Sequence, residues 1–296
     1  MIRFKSVWIH GMGMMGASLA LALRKSSQFE GRVFGAVRSQ KSADYIRSTD
    51  LCDEVHVVSS GREAREHFDS LPESSLIVIG VPVASAVSLL GDLRGIHHLV
   101  TDMSSTRAEV EKASAGVRFV GSHPICGSED TGPQAARPGL FETRLCIITP
   151  SPESRNEDIQ VVSDFWKDLG MNVMSMTAPE HDRILAYLSH APHVISGLMA
   201  HWGMSDAVAE AVRKSPVPLT GGGFRDMVRI AGSNPEMWLD IIRTNRREVI
   251  GSLETFQKYL ADTIGLLKGD DEQKMMEWLR SARLKRNRLC GYPDDK

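Results

Sequence analysis

Residues 7–16 read Val-Trp-Ile-His-Gly-Met-Gly-Met-Met-Gly, and this stretch decides the fold. A short apolar strand runs straight into Gly11-x-Gly13-x-x-Gly16, and 17–23 continues as a helix. In such a turn one glycine supplies a backbone torsion closed to other residues, and a second lets a pyrophosphate approach the main chain. The third allows close helix–strand packing, and the helix N-terminus then faces the phosphates. We therefore expect Gly11, Met12, Gly13, Met14, Met15 and Gly16 to hold a dinucleotide.

Outward from the turn, strand and helix patterns alternate. Strands are expected at 6–10, 32–37, 54–57, 75–80, 99–103, 118–121 and 145–149, then a helix over 158–169 and a strand over 171–176. Short β-branched runs separated by amphipathic stretches imply parallel strands with right-handed crossovers. After Thr177 the pattern changes. Thr177-Ala-Pro-Glu180 is a capping-box helix start, and apolar residues recur at helical spacing through Met199. Ser233-Asn-Pro-Glu236 opens a helix expected to run to Leu267, and 272–288 is a basic-ended one. The reading is an α/β Rossmann-type N-terminal domain with a parallel-rich sheet (1–176), then an all-α domain for substrate and dimerisation (177–296). Helices this apolar beside a nucleotide domain suit a homodimer.

Composition narrows the class. The 296 residues are 42% hydrophobic and 24% charged, with a net charge of −2, which favours neither nucleic acid nor an anionic membrane as partner. No apolar run approaches the ~20 residues of a membrane span. No signal-peptide pattern precedes the first strand, and the four cysteines are scattered without a Cys-x-x-Cys pair, so a cytoplasmic protein with reduced thiols is expected.

The second strand ends Val37-Arg38-Ser39, where NAD-binding chains usually place an acid for the ribose 2′-hydroxyl. Arg38 and Ser39 suit a 2′-phosphate instead, so NADP is favoured over NAD. His123 lies in Gly121-Ser-His-Pro-Ile-Cys-Gly127, expected as a loop after a sheet strand, and is either an acid/base group or an exposed ring. His190 and His193 share a helix face around Pro192, yet no third ligand accompanies them, so no metal is expected. Gly221-Gly-Gly-Phe-Arg225-Asp226-Met-Val-Arg229 joins a glycine run to two arginines, which suit a carboxylate or an ion pair with Asp226.

Together these segments resemble the prephenate/arogenate dehydrogenase family of tyrosine biosynthesis over nearly the whole chain. Gly121-Ser-His123-Pro-Ile-Cys-Gly-Ser-Glu129-x-x-Gly132 is similar to its Gly-Gly-His-Pro-(Met/Ile)-Ala-Gly-Thr-Glu-x-x-Gly, with Cys126 in place of Ala. Ser189-His-Ala-Pro-His193 is similar to Ser-His-Leu-Pro-His. Gly223-Phe-Arg-Asp226-x-x-Arg229-Ile-Ala, with Trp238 downstream, and the loop Asp102-Met-Ser-Ser105-Thr-Arg107 have counterparts too. The resemblance implies oxidative decarboxylation of a cyclohexadienyl substrate, prephenate and/or arogenate, with hydride passing to NADP or NAD. His123 is then the base, with Ser105 beside it. Arg229, His193, Ser189, Glu129, Asp226 and Trp238 would serve the substrate, while Arg38, Ser39, Val81, Pro82 and Asp102 join the glycine turn at the cofactor. A dehydrogenase for amino-substituted prephenate shares these motifs. A β-hydroxyacid or imine reductase shares the plan without needing His123.

Overall fold

The computed structural model describes residues 2–126 and 130–293. The chain opens with β1 (Ser6–His10), α1 (Met14–Lys25), β2 (Arg32–Val37), α2 (Gln40–Ser48), β3 (Glu54–Val57) and α3 (Gly61–Phe68). Next come β4 (Ser75–Ile79), α4 (Val83–Asp92), β5 (Leu99–Asp102), α5 (Ala108–Ala113), β6 (Gly121–Ile125), β7 (Leu145–Thr149), α6 (Asn156–Asp168) and β8 (Asn172–Ser175). The remainder is helical: α7 (Ala178–Leu185), α8 (Ala191–Gly203), α9 (Asp206–Lys214), α10 (Gly222–Val228), α11 (Pro235–Thr244), α12 (Arg246–Lys268) and α13 (Glu272–Cys290).

Five parallel strands form one sheet in the order β3-β2-β1-β4-β5. Alternation along each strand feeds two cores. Val7, Ile9, Leu76 and Val78 pack on one face, Trp8, Ile77 and Ile79 on the other. Strand order reverses between β1 and β4, the topological switch point where this architecture binds ligands. Gly11 ends β1 there with φ +108, and a Cβ on it would lie 2.6 Å from the Gly80 carbonyl oxygen at the end of β4.

Two expectations need correcting. A strand expected at 118–121 begins at Gly121 instead, so His123 stands within β6 and not on a loop. β6 also pairs antiparallel with β7 in a separate three-stranded sheet, β6-β7-β8. Parallel return needs a crossover, usually a helix. Among the described residues of the 126–144 connection there is only one short 3-10 turn, Pro133–Ala135.

The helical segment begins with the expected box: Thr177 accepts from the Glu180 amide while the Glu180 side chain accepts from the Thr177 amide. Between α7 and α8, 186–190 widens into a π-helical turn. Pro192 has no amide to return to the preceding turn, and such bulges absorb the lost bond. The helix expected from 235 to 267 is interrupted at Asn245 (φ −121, ψ 27), which separates α11 from α12. The chain divides into two compact units, Met1–Val249 and Ile250–Lys296. In the first, Leu198 and Trp202 of α8 face outward, Trp202 being 69% exposed; in the second, Tyr259, Leu260 and Leu267 are exposed. No helix among the described residues is long and apolar enough to cross a membrane.

The two sheets are joined by one buried ion pair. Asp102, the last residue of β5, takes a bidentate fork from Arg107 at 2.6 and 2.9 Å, and both side chains are essentially inaccessible. The same carboxylate accepts the Ser122 amide of β6 (3.0 Å) and the Ser104 amide (3.1 Å). Arg107 also donates to Thr149 Oγ1 of β7 at 2.9 Å and to the Ser122 carbonyl at 3.3 Å. A Cβ on Gly121 would stand 2.1 Å from the Arg107 guanidinium, which explains why the motif carries glycine there. Removing one partner of a buried pair leaves a desolvated charge and typically costs about 3–5 kcal/mol. Asp102→Asn keeps shape but loses charge, so its urea unfolding midpoint should fall by an amount equivalent to that loss. A midpoint equal to that of the unchanged protein would show the pair to be energetically idle.

Candidate active site

The dinucleotide cradle is built from backbone. Gly16 lies so close to the Gly11 carbonyl that a Cβ would meet its oxygen at 2.1 Å, whereas nothing stands within 4 Å of a Cβ on Gly13. α1 starts at Met14 with no side-chain cap and no acid in its first turn. Its amide end is therefore open to an anion, the arrangement a pyrophosphate needs. Met12 and Met14 are buried beneath the turn. Val81 and Pro82, at the N-terminus of α4, border it beyond Gly80. Ser39 caps α2 by accepting from the Ser42 amide, and Arg38 beside it is exposed, with no acidic partner among the described residues. These features fit a nicotinamide dinucleotide.

Asp102 does not fit its expected cofactor role. Its carboxylate is consumed by Arg107 and the two serine amides, and its carbonyl accepts the Ser122 hydroxyl. The residue anchors the site and presents no free oxygen to a ligand.

His123 projects from β6, three residues before Cys126, whose sulfur lies 3.9 Å from that of Met15 in the glycine turn. The strand end thus abuts the cofactor cradle. His123 Nδ1 is 2.8 Å from His181 Nε2, and His181 Nδ1 is 2.9 Å from Asp182 Oδ1. Asp182 in turn accepts the Arg107 and Ala108 amides, both at 2.8 Å, capping α5. Asn245 donates to the Asp182 carbonyl at 2.7 Å and lies 3.0 Å from His190 Nδ1. Ser105 is half-buried on the loop whose two ends, Asp102 and Arg107, are clamped together. The Ser104 hydroxyl beside it is buried without a partner among the described residues.

On the helical side His193 stacks on Trp238, with ring centroids 3.5 Å apart and planes 7° from parallel. His193 Nδ1 and Trp238 Nε1 are both buried without partners among the described residues. Ser189 is half-buried on the π turn. Arg229 opens the 3-10 turn Arg229–Gly232, against which α8 packs, and the Ser196 hydroxyl bonds the Met227 carbonyl just before it. Arg225, Asp226 and Arg229 are exposed in the single chain. Glu129 lies outside the described residues. No group of three or more His, Cys, Asp or Glu side chains among them is placed to hold a metal ion.

His181, Asp182, Asn245 and the role of Arg107 were not anticipated from sequence. His181 and Asp182 sit in the first turn after the capping box, where an acid reads as ordinary helix-start chemistry. Only the tertiary fold brings them to His123.

Residues 19–175 match the family model described as prephenate dehydrogenase, nucleotide-binding domain, and 177–281 match prephenate dehydrogenase, dimerization domain. The chain belongs to the prephenate dehydrogenase family. It is accordingly a nicotinamide-dependent dehydrogenase. Prephenate dehydrogenase of Bacillus subtilis is 26% identical over 288 residues, covering 94% of this chain and 74% of the relative. Cyclohexadienyl dehydrogenase of Zymomonas mobilis is 28% identical over 291 residues, covering 94% of each. The crystal structure of Aquifex aeolicus prephenate dehydrogenase with hydroxyphenyl propionate and NAD+ superposes with a TM-score of 0.82. That match is 29% identical and covers 97% of this chain and 98% of the other.

Burial holds the family member's site histidines neutral. The His123 ring lies well below the usual histidine range through desolvation, reinforced by His181, Arg107 and His190. His181 is lowered by burial against the opposing pull of Asp182. His190 is pushed down to about 4, as is His10 beneath the glycine turn, both mainly by desolvation. Below pH 6.5 an unfolded ring binds a proton that the folded ring refuses. Stability is therefore fully present above 6.5 and lost as pH falls towards the folded values, by up to about 1.4 kcal/mol per pH unit for each ring. The melting temperature should fall steadily between about pH 6.5 and about pH 5, before most carboxylates titrate. A flat profile over that interval would contradict the burial assigned to these rings.

Proposed function

We propose that the protein catalyses oxidative decarboxylation of prephenate, arogenate or both, with NADP as the preferred hydride acceptor. The observation that carries this reading is the placement of His123, a neutral imidazole on the strand whose end meets the glycine turn through Cys126 and Met15. The nicotinamide, when bound, supplies the acceptor for the hydride leaving C4 of the ring. His123 takes the C4 hydroxyl proton as that hydride departs, and Ser105 holds the hydroxyl in line. The C1 carboxyl then leaves as CO₂, its bonding electrons complete the aromatic ring, and the phenolic oxygen recovers a proton from His123. Products are 4-hydroxyphenylpyruvate from prephenate and tyrosine from arogenate.

Arg229 is assigned to a substrate carboxylate, which its planar fork holds through two charge-assisted bonds. His193 Nδ1 and Trp238 Nε1, without partners among the described residues, offer polar contacts beside an aromatic wall, and Ser189 is assigned to the same substrate site. Asp226 is assigned to orient Arg229. The functional division is placed at 176/177, inside the compact unit Met1–Val249, and exposed apolar side chains such as Leu198 and Trp202 are covered in a cytoplasmic homodimer.

Turnover of prephenate and of arogenate, each with NADP and with NAD, tests the reading. NADP should win in kcat/KM because Arg38 and Ser39 stand where an acid would select NAD, and Val37→Asp should reverse the order. A tenfold preference for NAD, about 1.4 kcal/mol, would overturn the cofactor assignment. No turnover of either substrate would overturn the reaction.

Two single variants test the clamp. Arg229→Ala should raise KM for the ring substrate roughly ten- to a hundredfold, the loss of a charged hydrogen bond of about 1.5–3 kcal/mol. Cofactor affinity should stay as it is. If Arg225→Ala raises KM and Arg229→Ala does not, the carboxylate belongs to the other arginine.

A further inference from the structure

We infer that His181 and Asp182 are positioning residues that fix which nitrogen of His123 is free to accept a proton, an inference resting on the proposed role of His123 as base. A carboxylate only accepts hydrogen bonds. Asp182 Oδ1 lies 2.9 Å from His181 Nδ1 and already receives the Arg107 amide, while Oδ2 receives the Ala108 amide. His181 Nδ1 must therefore carry a hydrogen. A neutral His181 then presents a lone pair on Nε2, 2.8 Å from His123 Nδ1, so the hydrogen between the two rings belongs to His123. With Nδ1 protonated, the other nitrogen of His123 keeps its lone pair, as the abstraction of a hydroxyl proton requires.

The opposite arrangement is disfavoured from every side. A doubly protonated His181 would point an N–H at His123 and force the proton onto Nε2, disabling the base. His181 is completely buried, and the charged groups around the rings are Arg107, Asp102 and Asp182, with the neutral His190 ring, which Asn245 contacts, beside them. The Arg107 cation opposes a second positive charge there, and the Asp102 charge is already matched by Arg107. Once His123 has accepted a proton, its Nδ1–H points at His181, behind which stands the Asp182 carboxylate. The chain thus sets direction before the reaction and stabilises the cation after the transfer, as in the serine-protease template, with a second imidazole inserted.

The full-length protein labelled with ¹⁵N-histidine distinguishes the tautomers directly, because protonated and unprotonated ring nitrogens give separate long-range ¹H–¹⁵N correlations. At neutral pH His123, assigned by its absence in His123→Asn, should show a protonated Nδ1 and a bare Nε2. His181→Leu removes the acceptor and should shift His123 towards the Nε2-protonated form. His181→Gln can still accept through its side-chain oxygen and should keep the Nδ1–H form. In turnover, kcat should fall roughly tenfold in His181→Leu, short of the ~10²–10⁴ of a lost base, and recover in His181→Gln with cofactor KM unchanged. A protonated Nε2 in the unchanged protein would overturn the inference without any variant. So would a folded His181→Leu whose His123 tautomer is unaltered. The spectra need no substrate: the stated tautomer without turnover upholds this chain and rejects the reaction, while turnover with the reversed tautomer does the opposite.

Discussion

The Asp102–Arg107 pair is the constraint on which the site depends. It joins the end of the parallel sheet to the smaller one: Asp102 ends β5, Arg107 leads into α5, and between them they hold the backbone of β6 and the Thr149 hydroxyl of β7. An apolar contact of the same volume would stabilise at least as well, since desolvating two charges offsets much of their attraction. Apolar packing lacks direction, however. Here each charged atom has a fixed partner at hydrogen-bond distance, so β6 is held in register, and His123 follows Ser122 by one residue. The Arg107 amide then donates to the Asp182 carboxylate, carrying the same constraint into α7.

Much of this was legible in the sequence, and the failures share a cause. The glycine turn, the first five strands, the Thr177 capping box and the change to helices all rest on local chemistry: torsions, period-two alternation and end caps. What could not be read depends on contacts between distant segments. The antiparallel return of β6 and β7 goes with the absence of a crossover helix among the described residues of the 126–144 connection, and propensity in the strands themselves carries no sign of it. The break at Asn245 has a tertiary rationale, because its side chain is drawn to the Asp182 carbonyl and His190, 63 and 55 positions away. Asp102 was legible as a strand-end acid, but its pairing was not, because only the folded loop turns Arg107, five residues on, back onto its carboxylate.

Keeping His123 neutral by burial involves a compromise. In the proposed role of base, a ring whose proton affinity is lowered is available at neutral pH, yet holds the abstracted proton less tightly. Pre-aligned groups resolve this, because charge appearing on the ring meets acceptors already oriented and no solvent has to reorganise. The electrostatic support is therefore stored in the folded state, in the burial of the His181 imidazole and in the two amides that hold Asp182.

One short helix then ties cofactor side to substrate side. α11 carries Asp240, whose carboxylate accepts the Ala84 amide at 3.0 Å and so caps α4 just beyond Val81 and Pro82. The Thr244 hydroxyl meets that of Thr106 at 2.8 Å, on the loop that carries Ser105. Trp238, two residues before Asp240, stacks on His193, and Asn245 closes on the Asp182 carbonyl. These four contacts fall within eight residues, so a shift of α11 would move the end of the cofactor crevice, the serine loop and the substrate wall together. In the proposed reaction, rigid helical spacing lets the hydride acceptor, the base and the ring wall keep the near-contact geometry that such a transfer demands.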